Sequence, residues 1–175
     1  MKKTVLASLF AAAMIPAFAS AADLTINFTG TVTDQTCTIS NATGGTLSVA
    51  MPSVSASQFK AVGDVAGTTP FNVTLTNCPA SVTKVAGLFE LGPNVDTATG
   101  NLKIAASTTG PAGNVQVQLL DSTGAKVRAN GGRTPSVDVS SGSATINMLS
   151  QYYATAATVT AGKTDTSVGF TVVYN

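Results

Sequence analysis

The sequence predicts an all-β sandwich, and three observations predict it. Short stretches in which apolar and polar residues alternate recur along the chain, and a period of two puts the apolar side chains of an extended strand on one face. Turn-forming clusters separate these stretches, and none carries a convincing amphipathic helical pattern. Composition agrees: the chain has 27 Thr and 19 Val, both strand formers. Only 10% of it is charged, against about 25% in an average globular domain.

Residues 1–21 are set apart as a secretory signal peptide. Lys2 and Lys3 form a basic head, residues 5–18 an apolar stretch, and Ala19-Ser20-Ala21 or Ser20-Ala21-Ala22 a small-residue cleavage site, which puts cleavage near 21/22. The apolar stretch contains Ser8 and Pro16 and falls short of the roughly 20 residues of a comfortable span, which disfavours a retained anchor. The remaining chain of about 154 residues suits one domain with a real core. Loss of Lys2 and Lys3 leaves seven basic residues against eight acidic ones. Without a basic cluster, nucleic acid and anionic membrane are poor partners.

The mature chain opens on an alternating stretch. Leu24, Ile26, Phe28 and Val32 alternate with Thr25, Asn27, Thr29 and Thr31, so residues 24–32 read as an extended strand with one apolar side. Gly30 takes the one apolar-side position that lacks a side chain, where a neighbouring backbone or a bulky residue can approach closely. Two readings stand open: the stretch is the protein's own first or last strand, or it reaches into another domain. Cys37 and Cys78 are the only cysteines, and in an exported chain such a pair reads as one disulfide. Closing a loop of about 40 residues is worth roughly 4 kcal/mol in the chain-entropy model.

After Cys37 the elements follow in order. The first long strand ends by Ser40, and residues 41–45, Asn-Ala-Thr-Gly-Gly, form a turn. Residues 46–51 read as a strand with Leu47, Val49 and Met51 on one side, stopped by Pro52. Residues 53–59 have room for a helical turn, although Gly63 and Gly67 favour a loop. Residues 71–77 make the clearest central strand, with Phe71, Val73 and Leu75 inward, Asn72, Thr74 and Thr76 outward, and Cys78 at its end. Strands follow over 82–91 and 115–121, separated by a Gly- and Thr-rich segment over 94–114. Ala144, Ile146 and Met148 alternate again, Tyr152 and Tyr153 lead into a last turn at 161–163, and Val168, Phe170, Val172 and Tyr174 close the chain as one apolar face.

Catalysis finds little support. The chain has no histidine, so no Ser/His/Asp triad, Cys/His pair or Cys/His metal site can be assembled. Ser57 to Lys60 and Ser81 to Lys84 both match a Ser-x-x-Lys signature, yet no Ser-Asp-Asn follows, and Lys163-Thr164 is followed by Asp165 instead of glycine. The acidic residues are scattered, which leaves a paired-acid glycosidase site or a calcium loop without local support. No enzyme, metal or cofactor is expected. Asn27, Asn41 and Asn72 each begin an Asn-x-Thr triplet, as the abundance of Thr makes frequent by chance.

Five features combine further: the alternating 24–32 stretch with Gly30 ahead of Cys37, the Phe71-Asn72-Val73-Thr74-Leu75-Thr76-Asn77-Cys78 strand, Gln151-Tyr152-Tyr153-Ala154, Gly162 fourteenth from the C-terminus, and the penultimate Tyr174. Together they resemble the subunits of the chaperone-usher fimbriae of Gram-negative bacteria, and are similar to the single-domain pilins of type 1 fimbriae over essentially the whole mature chain. The resemblance implies an incomplete immunoglobulin-like β-sandwich that lacks its last strand and is completed by donor-strand exchange, an established case of strand addition. Residues 22–36 would then be the donor extension and residues 37–175 the pilin domain.

Carried onto this chain, the resemblance makes Leu24, Ile26, Phe28 and Val32 the donor side chains, with Gly30 the close-approach position. The acceptor edge, also gripped by a periplasmic chaperone, would comprise Gly162, Val168, Phe170, Val172 and Tyr174, with the terminal carboxylate of Asn175 as an anchor. Burial of four large apolar side chains contributes at most roughly 6 to 12 kcal/mol. Each subunit would give one strand and take one, a head-to-tail contact that does not close and so makes a fibre. The implied partners are identical or related pilins, a periplasmic chaperone, an outer-membrane usher and a host receptor. The implied route runs through the periplasm to the cell-surface fimbrium. The alternative is a minor adaptor or tip subunit that binds a host receptor through the 94–114 segment or the 130–133 turn. The mature chain is too short for the additional lectin domain that a tip adhesin of the family carries.

Overall fold

The computed structural model of the chain describes residues 24, 26–30 and 36–174. The expected signal peptide, Val32 and Asn175 lie outside the described residues. The chain divides into two units, Met1–Val32 and Thr33–Asn175. In the first, residues 24 and 26–30 join no strand, and the side chains of Leu24, Ile26 and Phe28 are 74%, 64% and 91% exposed. A Cβ added at Gly30 would meet nothing within 4 Å.

The second unit is built from β1 (Thr38–Ile39), β2 (Val65–Thr76), β3 (Lys84–Phe89), β4 (Val115–Asp121), β5 (Lys126–Val127), β6 (Val137–Asp138), β7 (Ala144–Ala154) and β8 (Phe170–Tyr174). They form two antiparallel sheets, ordered β1-β2-β7-β4-β5 and β6-β3-β8. The period of two explains the core: Val73 and Leu75 of β2, Ile146 and Met148 of β7, and Val117 and Leu119 of β4 join Val85 and Phe89 of β3 in one buried cluster. The disulfide expected from the cysteine count joins Cys37 to Cys78, with their Cα atoms 4.2 Å apart. Among the described residues, no helix is long and apolar enough to cross a membrane.

Several expectations are corrected. Residues 46–51 form no ladder: Leu47 and Met51 are half-buried against the core, while Val49 between them is 38% exposed and does not pack on it. The possible helical turn in residues 53–59 is realised as a single 3-10 turn, Ala56–Gln58, whose cap hydroxyl on Ser55 accepts from the N–H of Ser57. β2 begins at Val65, earlier than expected, because Gly67 at φ +66° makes a register shift between Ala66 and Thr69. Pro70 is tolerated within it because β7 alone flanks β2 there; β1 meets β2 only at Leu75 and Thr76. Tyr152 and Tyr153 do not lead into a turn but lie inside β7, whose pairing with β4 runs to Val115 opposite Ala154.

The 94–114 segment is not a free loop. Val95 and Leu102 are buried, and Leu102 exchanges backbone hydrogen bonds with Val117 at 2.8 and 2.9 Å. Leu102 thus extends the sheet at the edge of β4, and both residues join the core cluster with Val115, Val117 and Leu119, while the alternate residues Gln116 and Gln118 are held by polar partners. Gln116 donates to Asp96 Oδ2 at 2.7 Å and accepts from Thr99 Oγ1 at 3.1 Å. Gln118 accepts from Gln151 Nε2 at 2.8 Å. The 130–133 turn is likewise bound to the end of β3, with Gly131 N–H donating to Phe89 O and Phe89 N–H donating to Gly132 O, both at 3.0 Å.

Three carboxylates knit loops to these sheets. Asp64 accepts from the N–H groups of Lys60 and Ala61, Asp96 from Thr99 N–H, Gln116 and Ala98 N–H, and Asp121 from the Thr123 hydroxyl and the N–H groups of Thr123 and Ala125. Hydrogen bonds to the charged form hold all three below the usual carboxylate range.

Candidate functional site

The site starts from the alternation at the C-terminus. From Thr164 to Val172 half-buried and exposed residues alternate without interruption, so one extended chain leads into β8. Its first side is satisfied. Phe170 to Tyr174 register with Phe89 to Val85 of β3, Glu90 N–H donates to Gly169 O at 3.0 Å, and Ala105 N–H donates to Asp165 O at 2.8 Å. On its second side β8 has no strand neighbour among the described residues, because it ends the three-stranded sheet.

The side chains of this strand face the core from an open position. Val168, Phe170, Val172 and Tyr174 are half-buried and pack against the core cluster, as do Leu47, Met51 and Val54. Such a row buries only part of its apolar area, and an unpaired strand edge leaves backbone donors and acceptors for another chain. Phe170 is fixed by an edge-to-face contact with Phe89, the ring centroids 5.3 Å apart. Thr171 Oγ1 donates to Glu90 Oε1 on the exposed face.

Where the chain approaches β8 there is a cavity of about 420 Å³, bordered by Met51, Val54, Phe59, Tyr152, Val159 and Gly162. Gly162 is therefore not on β8. It sits where residues 160–163 cross 110–113, and a Cβ there would overlap the Pro111 carbonyl carbon and the Ala112 nitrogen. The crossing is held by Ala112 N–H to Lys163 O at 2.8 Å and Lys163 N–H to Gly110 O at 2.9 Å.

Of the residues singled out from sequence, Phe170, Val172 and Tyr174 thus come together on β8, with Val168 just ahead of it, and Cys37 and Cys78 are bonded. Leu24, Ile26 and Phe28 are exposed in the first unit. Two features were missed. Val54 joins Leu47 and Met51, which the sequence had already placed on one apolar side, as half-buried residues packed on the core, and Gly87 makes room for Phe170, whose ring fills the place a Gly87 Cβ would take. A glycine inside the apolar run 85–89 was the available signal for the latter.

A family model described as FimA, type-1 fimbrial protein A, matches residues 51–175. The chain belongs to the type-1 fimbrial protein family. The major fimbrial subunit SMF-1 of Stenotrophomonas maltophilia is 44% identical over 172 residues, covering 93% of this chain and 99% of that protein. The F17 fimbrial protein of Escherichia coli is 38% identical, over 85% and 86% of the two chains. Among solved structures, a type I fimbria protein and antigen of Burkholderia pseudomallei is 35% identical, covers 85% of this chain and 96% of that one, and superposes with a TM-score of 0.56. The P pilus rod subunit PapA, at 20% identity and a TM-score of 0.61 over 79% and 99% of the chains, shares the fold. This type-1 fimbrial protein is a structural subunit of a surface fimbrium, a reading that its major-subunit relatives favour over a tip adaptor.

Proposed function

We propose that the subunit polymerises head-to-tail, its 24–32 segment adding a strand along the free side of β8 in a neighbouring copy. The observation that carries this is the matched period of two surfaces. One is the exposed row Leu24, Ile26 and Phe28; the other is the half-buried row Val168, Phe170, Val172 and Tyr174 on an outermost strand. Val32 continues the donor row, and Gly30 lets the two backbones approach. Before assembly, the open edge is an aggregation hazard. A periplasmic chaperone that lends a strand and holds the carboxylate of Asn175, followed by an outer-membrane usher, answers that hazard on the export route.

A Phe28→Asp chain tests the reading. It is expected to fold, to bind a synthetic peptide of residues 22–36, and to fail to sediment as fibres, since a carboxylate replaces the largest donor side chain. A wild-type chain that stays monomeric at every concentration and ignores the peptide would overturn it.

A further inference from the structure

The hydroxyl oxygen of Tyr174 accepts the backbone N–H of Cys37 at 3.1 Å, across 137 residues of sequence. Cys37 is buried, and Thr36 before it is exposed. The β1–β2 ladder begins one residue later, with Thr38 opposite Thr76, so the Cys37 N–H takes a side-chain hydroxyl instead of a strand partner. The disulfide fixes the rest of Cys37 to the end of β2. The last described side chain of the acceptor edge therefore holds the first buried residue after the donor extension.

We infer that Tyr174 is a positioning residue: a strand received beside β8 fixes, through the Tyr174 hydroxyl, the point from which the subunit's own donor extension departs. This rests on the strand-donation reading above. A strand bonded on one side opens more readily than one bonded on both, and Tyr174 rides on such a strand. A neighbour's strand supplies the second ladder, keeps β8 closed, and so keeps the Tyr174–Cys37 bond made. The coupling is reciprocal by linkage: a closed bond at Cys37 tightens the hold on the incoming strand by the same factor. A subunit that has accepted a strand then presents its own extension from a root that opens less often than that of an unfilled subunit, in which the same bond rides on a strand bonded on one side only.

The test uses the full mature chain in the Phe28→Asp background, which cannot donate, with and without Tyr174→Phe, and the peptide of residues 22–36 as probe. Hydrogen exchange is followed at the Cys37 amide, with the Val73 amide, in the β2–β7 ladder away from the β1 pairs, as a control. The peptide is expected to bind both chains and to slow Cys37 exchange roughly fivefold more in the chain that keeps Tyr174 than in the Tyr174→Phe chain, the factor matching one hydrogen bond's typical net worth. Equal slowing in both chains would overturn the coupling while leaving donation intact. No peptide binding to either chain would overturn donation itself, and the coupling with it. Should Tyr174→Phe not fold, the temperature coefficient of the Cys37 amide shift in the peptide-loaded chain that keeps Tyr174 decides: a small value supports the bond, and a large one, typical of an amide facing water, overturns it.

Discussion

At the level of single residues, the outermost strand β8 depends on a side chain that is absent. Gly87 registers with Val172, its N–H donates to Thr134 Oγ1 at 2.8 Å, and the Phe170 ring occupies the space a Cβ would need. Gly87→Val is expected to displace that ring and to cost about 1–3 kcal/mol by overpacking, read as a lower urea midpoint. Because Phe170 belongs to the half-buried row, binding of the 22–36 peptide should weaken as well; an unchanged midpoint and unchanged binding would refute the account. The carboxylates give a second residue-level expectation. Asp64, Asp96 and Asp121 have lowered pKa values in the folded chain, so the stability they add is fully present above the unfolded carboxylate value. It is lost as pH falls through the folded ones. With no histidine in the chain, the melting temperature should be nearly level from pH 7 to 5 and drop below about pH 4. Asp121→Asn should flatten part of that drop.

Among the elements, β1 has, like β5 and β6, two registered pairs to its neighbour, and it alone carries the disulfide at its head. Cys37→Ala with Cys78→Ala is expected to cost about 2–4 kcal/mol, and reduction of the wild-type chain should reproduce the loss in a thermal melt. A melt indifferent to both would show that the ladder alone holds β1. Legibility also differs by element. β4 was readable to its ends, since a turn-bounded run of 115–121 leaves little choice of length. The first half of β2 was not, because Gly63 and Gly67 read as loop residues, whereas Gly67 sits in a register shift within the strand. β5 and β6 are two residues each, too short to show a period. Residues 46–51 teach the converse: alternation suggests which side chains face the core, whereas a ladder also needs a neighbour. The β8 row was legible from Val168 to Tyr174, and Leu47 and Met51 were legible as apolar positions, while Val54, flanked by serines outside any alternating run, was not.

For the whole molecule, the two apolar rows sit on separate units of one chain, and in the proposed strand donation a subunit gives one surface and takes another, a head-to-tail contact that builds an open fibre where its rotation does not close into a ring. Each end of a fibre then lacks one thing. One terminal subunit has an unfilled edge beside β8, and the other has an extension with nowhere to go. A chain cut before Asp34 keeps the edge and lacks the extension, so it can occupy only an end and never the interior. Every truncated chain incorporated accounts for one whole fibre, which bounds the mean length by the ratio of all chains to truncated ones. With one truncated chain in ten, electron microscopy should find fibres limited to the order of ten subunits, and gold directed at a tag on the truncated chain should label a single end. The 22–36 peptide should shorten fibres independently by filling the opposite end. Long fibres with tagged chains along the shaft would mean that subunits join without a donated strand.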